Sequence, residues 1–337
     1  DNLFAKIGES GMHLAFAGHV DVVPPGNEKS WKYPPFSATI ADGKLYGRGA
    51  EDMKGSVACF ISATSSFIKK YSHNFGGQLS LIITGDEEKE AVNGTKKMME
   101  WTKNNNIVFN HCIVGEPTSN KIVGDKIKIG RRGSINFFVT VKGVQGHTAN
   151  SQRAENPAHL LIILLNNIIS KPLDDGNEFY LPSSLQIPTF DVGNSAANVI
   201  PEFARATVNI RFNDIHSVES LTKWFQDNID KVFTNFPKAS CTFRTDQVGE
   251  SYLTNPGQLC SLVSAAIKEV SGRNGNLEMA TDGGTSDARF IKNYCEVLEL
   301  GLVNRTLHQV NENVNLSDLK ELHDIYLRIL ENYFEKN

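Results

Sequence analysis

The sequence predicts an α/β protein: a doubly wound, mainly parallel sheet domain into which a second, β-α-β-β-α-β domain is inserted. Three observations carry this. Short apolar runs alternate with amphipathic segments at both ends of the chain, as parallel strands joined by helices do. The middle carries longer, alternating strands in the order strand, helix, strand, strand, helix, strand, which makes a complete split-βαβ sheet. The length, 337 residues, is also large for one core. The boundaries fall at 1–132 and 247–337 for the outer domain and 133–246 for the insert.

Taken in order, 2–7 and 13–17 read as strands around a Glu9-Ser10-Gly11 turn. A loop rich in Pro and Gly follows, then a glycine-studded stretch, 43–55, that leads into an amphipathic helix over 56–71. Residues 77–84 form another strand, 94–104 a helix and 111–115 a short apolar strand. Within the insert, 134–142, 185–192, 204–212 and 239–245 are strands. The helices there are 157–170, opened by Asn156, and 218–233. Beyond it lie a helix at 259–270 and a buried strand at 295–300. A terminal helix follows, with Leu319, Leu322, Tyr326, Ile329 and Tyr333 on one face. Ser317 and Asp318 are expected to be its cap and first-turn acid.

Composition narrows the function. A net charge of -4 and a pI near 6.2 supply no basic field for nucleic acid. No apolar run reaches the ~20 residues of a membrane-spanning helix. The five cysteines are scattered without a CxxC, which fits core packing in a reducing, cytoplasmic compartment.

In open α/β sheets, ligands bind beyond the carboxyl ends of the strands. His19, Asp21, Glu87, Glu88 and Glu116 all fall at such ends. His19 and Asp21, two apart, lie on one side of the chain, and a carboxylate near a ligating His can orient its ring. Asp52 sits on a loop held by glycines, and His308 follows the last strand. Pro117 holds Glu116 extended. Two histidines with several carboxylates and no thiolate suit a pair of zinc ions or a similar borderline divalent pair, such as cobalt. One acid would bridge the ions and one would stay free as a base. Each residue also has a plainer reading, as a solvated turn or a helix cap. Their convergence at strand ends decides against it.

The runs GHVDVVPPG, DGKLYGRGAEDMKGS, ITGDEE, VGEPT, GRRGS, QGHTA, NVIP, GGTSDARF and GLVNRTLHQVNE resemble, in order, those of the di-zinc aminoacylase and carboxypeptidase family. That resemblance implies roles. His19 and Glu116 would hold one zinc, Glu88 and His308 the other, and Asp52 would bridge them. Glu87 would be the general base and Asp21 would orient His19. The Asp52-Met53 peptide would be cis. His147 would reach a partner subunit's site and stabilise an oxyanion, so that the insert serves as both dimerisation domain and lid. Arg131, Asn198, Arg211, Gly284, Thr285 and Asn304 would contact a small-molecule substrate. Arginines in Arg131-Arg132-Gly133 suit a substrate rich in carboxylates, and the resemblance implies a succinyl over an acetyl amide because family members that cleave acetyl amides tend to carry His-Lys-Gly there. A family member acting on acetylated or peptide substrates, and a metal-binding protein without catalysis, remain as alternatives. The family carries a segment of some tens of residues ahead of the first motif, which is expected to be missing before Asp1. His13, His73, His111, His159, His216 and His323 match no motif.

Overall fold

A computed structural model describes residues 1–72, 75–273, 275 and 277–335. His73 lies outside the described residues. The chain divides into two compact units: Asp1–Gly130, Leu253–Thr281 and Ser286–Asn337 in one, and Arg131–Tyr252 with Asp282–Thr285 in the other.

The first unit is built on a seven-stranded mixed sheet. Its order is Leu3–Ile7, Gln78–Thr84, His13–His19, His111–Val114, Glu296–Glu299, Lys126–Lys128 and Glu278–Ala280. The four strands from Gln78–Thr84 to Glu296–Glu299 run parallel, as does the last pair. Leu3–Ile7 and the junction of Glu296–Glu299 with Lys126–Lys128 are antiparallel. His13–His19 is buried throughout, as a central strand covered on both faces must be. Phe16 on that strand stacks on Phe60 of the Gly55–Tyr71 helix, with centroids 4.1 Å apart. Phe60 meets Tyr326 of the Leu316–Glu335 helix edge-on at 5.2 Å. Aromatic pairs of this kind add about 0.5–1.5 kcal/mol beyond the area they bury.

Two features differ from expectation. Thr39–Ala41, Lys44–Tyr46 and Asn313–Asn315 form a small three-stranded sheet. Strands of three residues are too short to show a period in sequence. The last helix starts at Leu316, directly after the Asn313–Asn315 strand, so Ser317 lies inside it and is not its cap. Asp318 is a first-turn acid, paired with Arg305 at 2.8 Å.

The second unit is a four-stranded antiparallel sheet in the order Ser184–Asp191, Phe203–Phe212, Gly133–Lys142, Ser240–Gly249. Burial alternates along Gly133–Lys142, and Ile135, Phe137, Val139 and Val141 face a core shared with the helices Pro157–Ile169 and Val218–Phe233. Phe137 stacks on Phe225 at 4.2 Å. Asn156 caps the first helix by accepting from Ala158 N at 3.0 Å, ahead of Pro157 at the first position. A Ser217–Ser220 capping box opens the second.

Candidate metal centre

Seven side chains predicted from sequence meet in the first unit, at the carboxyl ends of its parallel strands. His19 ends its strand, and its Nε2 lies 3.1 Å from Asp52 Oδ1, 3.8 Å from Glu116 Oε1 and 3.9 Å from Glu87 Oε2. The other oxygen of Asp52 lies 3.1 Å from His308 Nε2, which is 3.0 Å from Glu88 Oε1. Asp52 thus faces a different histidine with each oxygen. Three sets follow, each with ligand atoms within 4.8 Å of one another: His19, Asp52 and Glu116; Asp52, Glu88 and His308; and His19, Glu87 and Glu88. The Asp52-Met53 peptide is cis.

The backbone explains the convergence. Glu87 and Glu88 leave the Gln78–Thr84 strand on a loop that Asp21 holds. Asp21 Oδ1 accepts from Glu87 N at 3.2 Å and Oδ2 from Glu88 N at 3.0 Å. The backbone carbonyl of Asp21 lies 3.0 Å from His19 Nδ1, against 3.6 Å for its carboxylate. Residue 21 therefore reaches His19 chiefly through its main chain, while its side chain sets the acidic loop. Glu116 is placed by a close crossing: a Cβ on Gly301 would lie 2.3 Å from Glu116 O and 2.5 Å from Gly115 O. Only glycine lets the two segments approach so closely.

The electrostatics of the cluster suit a bound cation. Burial pulls the His19 pKa down, but the Asp52 hydrogen bond and the Glu116, Asp52 and Glu87 charges override it and raise it to about 11. The Asp52 hydrogen bond lifts His308 to about 9 against the opposing effect of burial, with Glu88 helping. Burial, then the Asp287, Glu88 and Asp52 charges, push Glu87 up to about 8 despite His19. Glu116, fully enclosed, is raised well above the usual carboxylate range by burial and by the Asp52 and Glu87 charges. Asp52 alone falls, to about 2, because hydrogen bonds from both histidines outweigh its burial. Buried carboxylates packed this closely repel unless protons or cations intervene. Two imidazoles and several carboxylate oxygens are the donor set that divalent zinc or cobalt takes, so the residues fit a metal pair.

A supporting set was not foreseen in the sequence, although it lies inside two of the runs. Glu312, fully buried, pairs through Oε2 with Arg48 Nη1 at 2.6 Å. Its Oε1 accepts from Glu51 N at 2.9 Å and Asp52 N at 3.2 Å. Glu51 Oε2 accepts from Thr306 N at 2.9 Å and Thr306 Oγ1 at 2.6 Å, two residues before His308. The loops that carry Asp52 and His308 are thereby tied together.

The other predicted residues are not among these seven. In the second unit, His147 pairs in register with Val199 and accepts from Ala149 N through Nδ1 at 3.0 Å, while Asn198 O accepts from Thr148 N at 3.1 Å. Arg131 Nη1 donates to Gly284 O at 3.1 Å, beside Thr285 in sequence. Arg211 is half-buried, and its pKa is lowered by burial and by the Arg132 charge. In the first unit Asn304 is exposed, its N–H bonded to Ser119 O at 2.9 Å.

Residues 15–332 match the profile of Peptidase family M20/M25/M40. The chain belongs to that family. It is 48% identical over 334 residues to the succinyl-diaminopimelate desuccinylase of Parvibaculum lavamentivorans, covering 99% of this chain and 83% of the relative. A protein of the same name from Methylorubrum populi is 47% identical, covering 99% and 86%. Among solved structures, the M20 family metallo-carboxypeptidase Sso-CP2 from Sulfolobus solfataricus superposes with a TM-score of 0.76 at 17% identity, over 99% of this chain and 88% of that one. Bacillus subtilis YXEP, a dinuclear metal-binding peptidase of the M20 family, gives 0.70 at 14% identity, over 100% and 86%. At such identities these structures support the M20 fold alone. Among the described residues no helix is long and apolar enough to cross a membrane.

Proposed function

We propose that this M20 protein is a succinyl-diaminopimelate desuccinylase, hydrolysing N-succinyl-LL-2,6-diaminopimelate to succinate and LL-2,6-diaminopimelate. The observation that carries the chemistry is Asp52, with one oxygen toward His19 and the other toward His308. The substrate follows the relatives named for that activity, at 45–48% identity over nearly the whole chain.

His19 and Glu116 would hold one ion, Glu88 and His308 the other, with Asp52 shared. Bound zinc or cobalt supplies Lewis acidity, polarising the amide carbonyl and bringing the pKa of water to about 7. Among the described residues the nearest side-chain nitrogen to the Glu87 carboxylate is His19 Nε2 at 3.9 Å, which leaves it free to accept a proton from the attacking water. It then returns that proton to the departing nitrogen, so the C–N bond breaks to a neutral amine. Asp21 keeps Glu87 and Glu88 in separate tasks by fixing both backbone N–H groups.

The second unit is proposed as a ferredoxin-like dimerisation and lid domain in a cytoplasmic homodimer. There His147 would donate to the developing oxyanion of a partner subunit's substrate. Arg131, Arg211, Asn198, Gly284, Thr285 and Asn304 would hold the substrate's carboxylates and amino group.

The test is a paired assay of succinyl and acetyl amides with Glu87→Gln alongside. Succinate release by the wild type is expected, with little acetate. Glu87→Gln should keep its metal and lose turnover. Cleavage of the acetyl amide alone would transfer the protein to another deacylase activity, and turnover by Glu87→Gln would remove the base.

A further inference from the structure

Asp287 takes no part in the chemistry above. It occupies the N-cap position of the short helix Ala288–Ile291 but makes no capping bond there. Its Oδ2 instead accepts a hydrogen bond from Thr95 Oγ1 at 2.6 Å. A hydroxyl has one proton to donate. With that of Thr95 committed to Asp287, the 3.3 Å contact between Thr84 Oγ1 and Thr95 Oγ1 must run from Thr84 to Thr95. The result is a directed relay, Thr84 to Thr95 to Asp287, in which all three residues are buried.

The two threonines have a particular place. Thr84 is the last residue of the Gln78–Thr84 strand, and Thr95 is the first of the Thr95–Asn104 helix. Between them runs the loop that carries Glu87 and Glu88. The other oxygen of Asp287, Oδ1, is enclosed and has no hydrogen-bond partner among the described residues. A half-satisfied carboxylate in the interior is unfavourable, so packing does not account for its presence. The Asp287 charge also acts on Glu87, and the His19 charge acts on Asp287.

We propose that Asp287 is a positioning residue for the Glu87–Glu88 loop, clamping both of its ends through Thr95 and Thr84. Asp21 holds the middle of the same loop by its backbone. The two carboxylates together would fix where Glu87 stands relative to the reacting water. The inference rests on the base role proposed for Glu87.

The experiment uses the metal-loaded enzyme with N-succinyl-diaminopimelate. Wild-type activity is measured first; its absence would sink the function proposed above and this inference with it, whereas an active wild type with unaltered variants would sink this inference alone. With an active wild type, Asp287→Ala and Thr95→Val should each lower kcat by up to about 10²-fold, the scale of a misplaced catalytic group. KM should stay within about twofold, since substrate contacts are untouched, and the assay is run at saturating zinc because Glu88 rides on the same loop and its ion would bind more weakly. Thr95→Ser, which keeps the hydroxyl, should restore most of kcat. Asp287→Asn, which keeps an acceptor for Thr95, should lie between wild type and Asp287→Ala. Wild-type kcat in Thr95→Val would overturn the relay, as would a Thr95→Ser variant no better than Thr95→Val. Should Asp287→Ala fail to fold, the Thr95 pair decides.

Discussion

Removing the carboxylate of Glu312 should loosen the proposed metal centre although its side chain, among the described residues, meets the proposed ligand Asp52 only at the backbone N–H. In Glu312→Ala the buried Arg48 guanidinium loses its one carboxylate among the described residues and is left with the carbonyls of Gln309 at 3.2 Å and of Pro24 and His308 at 3.5 Å, and the Trp31 ring at 5.2 Å. Breaking a buried ion pair from one side costs about 3–5 kcal/mol. The N–H groups of Glu51 and Asp52 lose their acceptor as well, at about 1–3 kcal/mol each when left unsatisfied. These terms share atoms and do not add fully, so a loss of at least about 3 kcal/mol is expected. With a urea slope of about 1–3 kcal/mol per molar, the midpoint of chelator-treated protein should fall by roughly 1 M or more. Glu312→Gln should lose less, because its amide oxygen still accepts from both N–H groups. The Asp52 loop should then wander, and zinc affinity in a chelator competition should drop by about 10–100-fold, the usual effect of losing a ligand's support. An Ala variant within about 1 kcal/mol of wild type, with unchanged zinc affinity, would refute the reasoning.

Ion-free protein should lose stability as pH rises between about 6.5 and 9. His308 has its pKa raised to about 9, so its contribution is complete below 6.5 and lost through 9. Glu87, raised to about 8, adds a penalty that grows above 4.5 and is complete past 8. At the acid end the Asp52 contribution, present above 3.8, should disappear as pH falls through about 2. Urea midpoints of chelator-treated protein across this range test all three. Zinc binding at neutral pH should release protons, because His19 and His308 are both protonated in the ion-free site; calorimetry in buffers of differing ionisation enthalpy reads the count. Gly301→Ala should destabilise the fold and lower metal content together, since its Cβ would press on backbone carbonyls that cannot swing aside; a normal melting point and full metal content would contradict the packing argument. If His147 serves a partner's site, His147→Ala and Glu87→Gln homodimers should both be nearly inactive, and remixing them should recover part of the activity; no recovery would place His147 outside the chemistry.

Much of the site was legible because its residues sit where apolar runs stop. His19, Glu87 and Glu116 each follow a strand whose hydrophobic pattern marks its own end. Helices such as Val218–Phe233 announce themselves by a capping serine and an apolar stripe. What stayed hidden depends on distant contacts. Arg48 and Glu312 look like ordinary surface charges until the fold buries both. Lys126–Lys128 and Glu278–Ala280 are short and charged, and pair as strands only because the sheet edge offers them a partner. The Asp21 carboxylate could have oriented the nearby His19, and only coordinates show that it binds the backbone of Glu87 and Glu88.

The contact between Arg48 and Glu312 joins positions separated by 264 residues. A ribosome adding about 5–20 residues per second takes on the order of 13–50 s to cover that interval. The half of the centre carrying His19, Asp52, Glu87 and Glu116 must therefore emerge and wait, an acidic hollow without its closing partner. Competence waits for Glu312, and a chain cut short before it would carry His19, Asp52, Glu87, Glu88 and Glu116 without the acid that holds the Asp52 backbone.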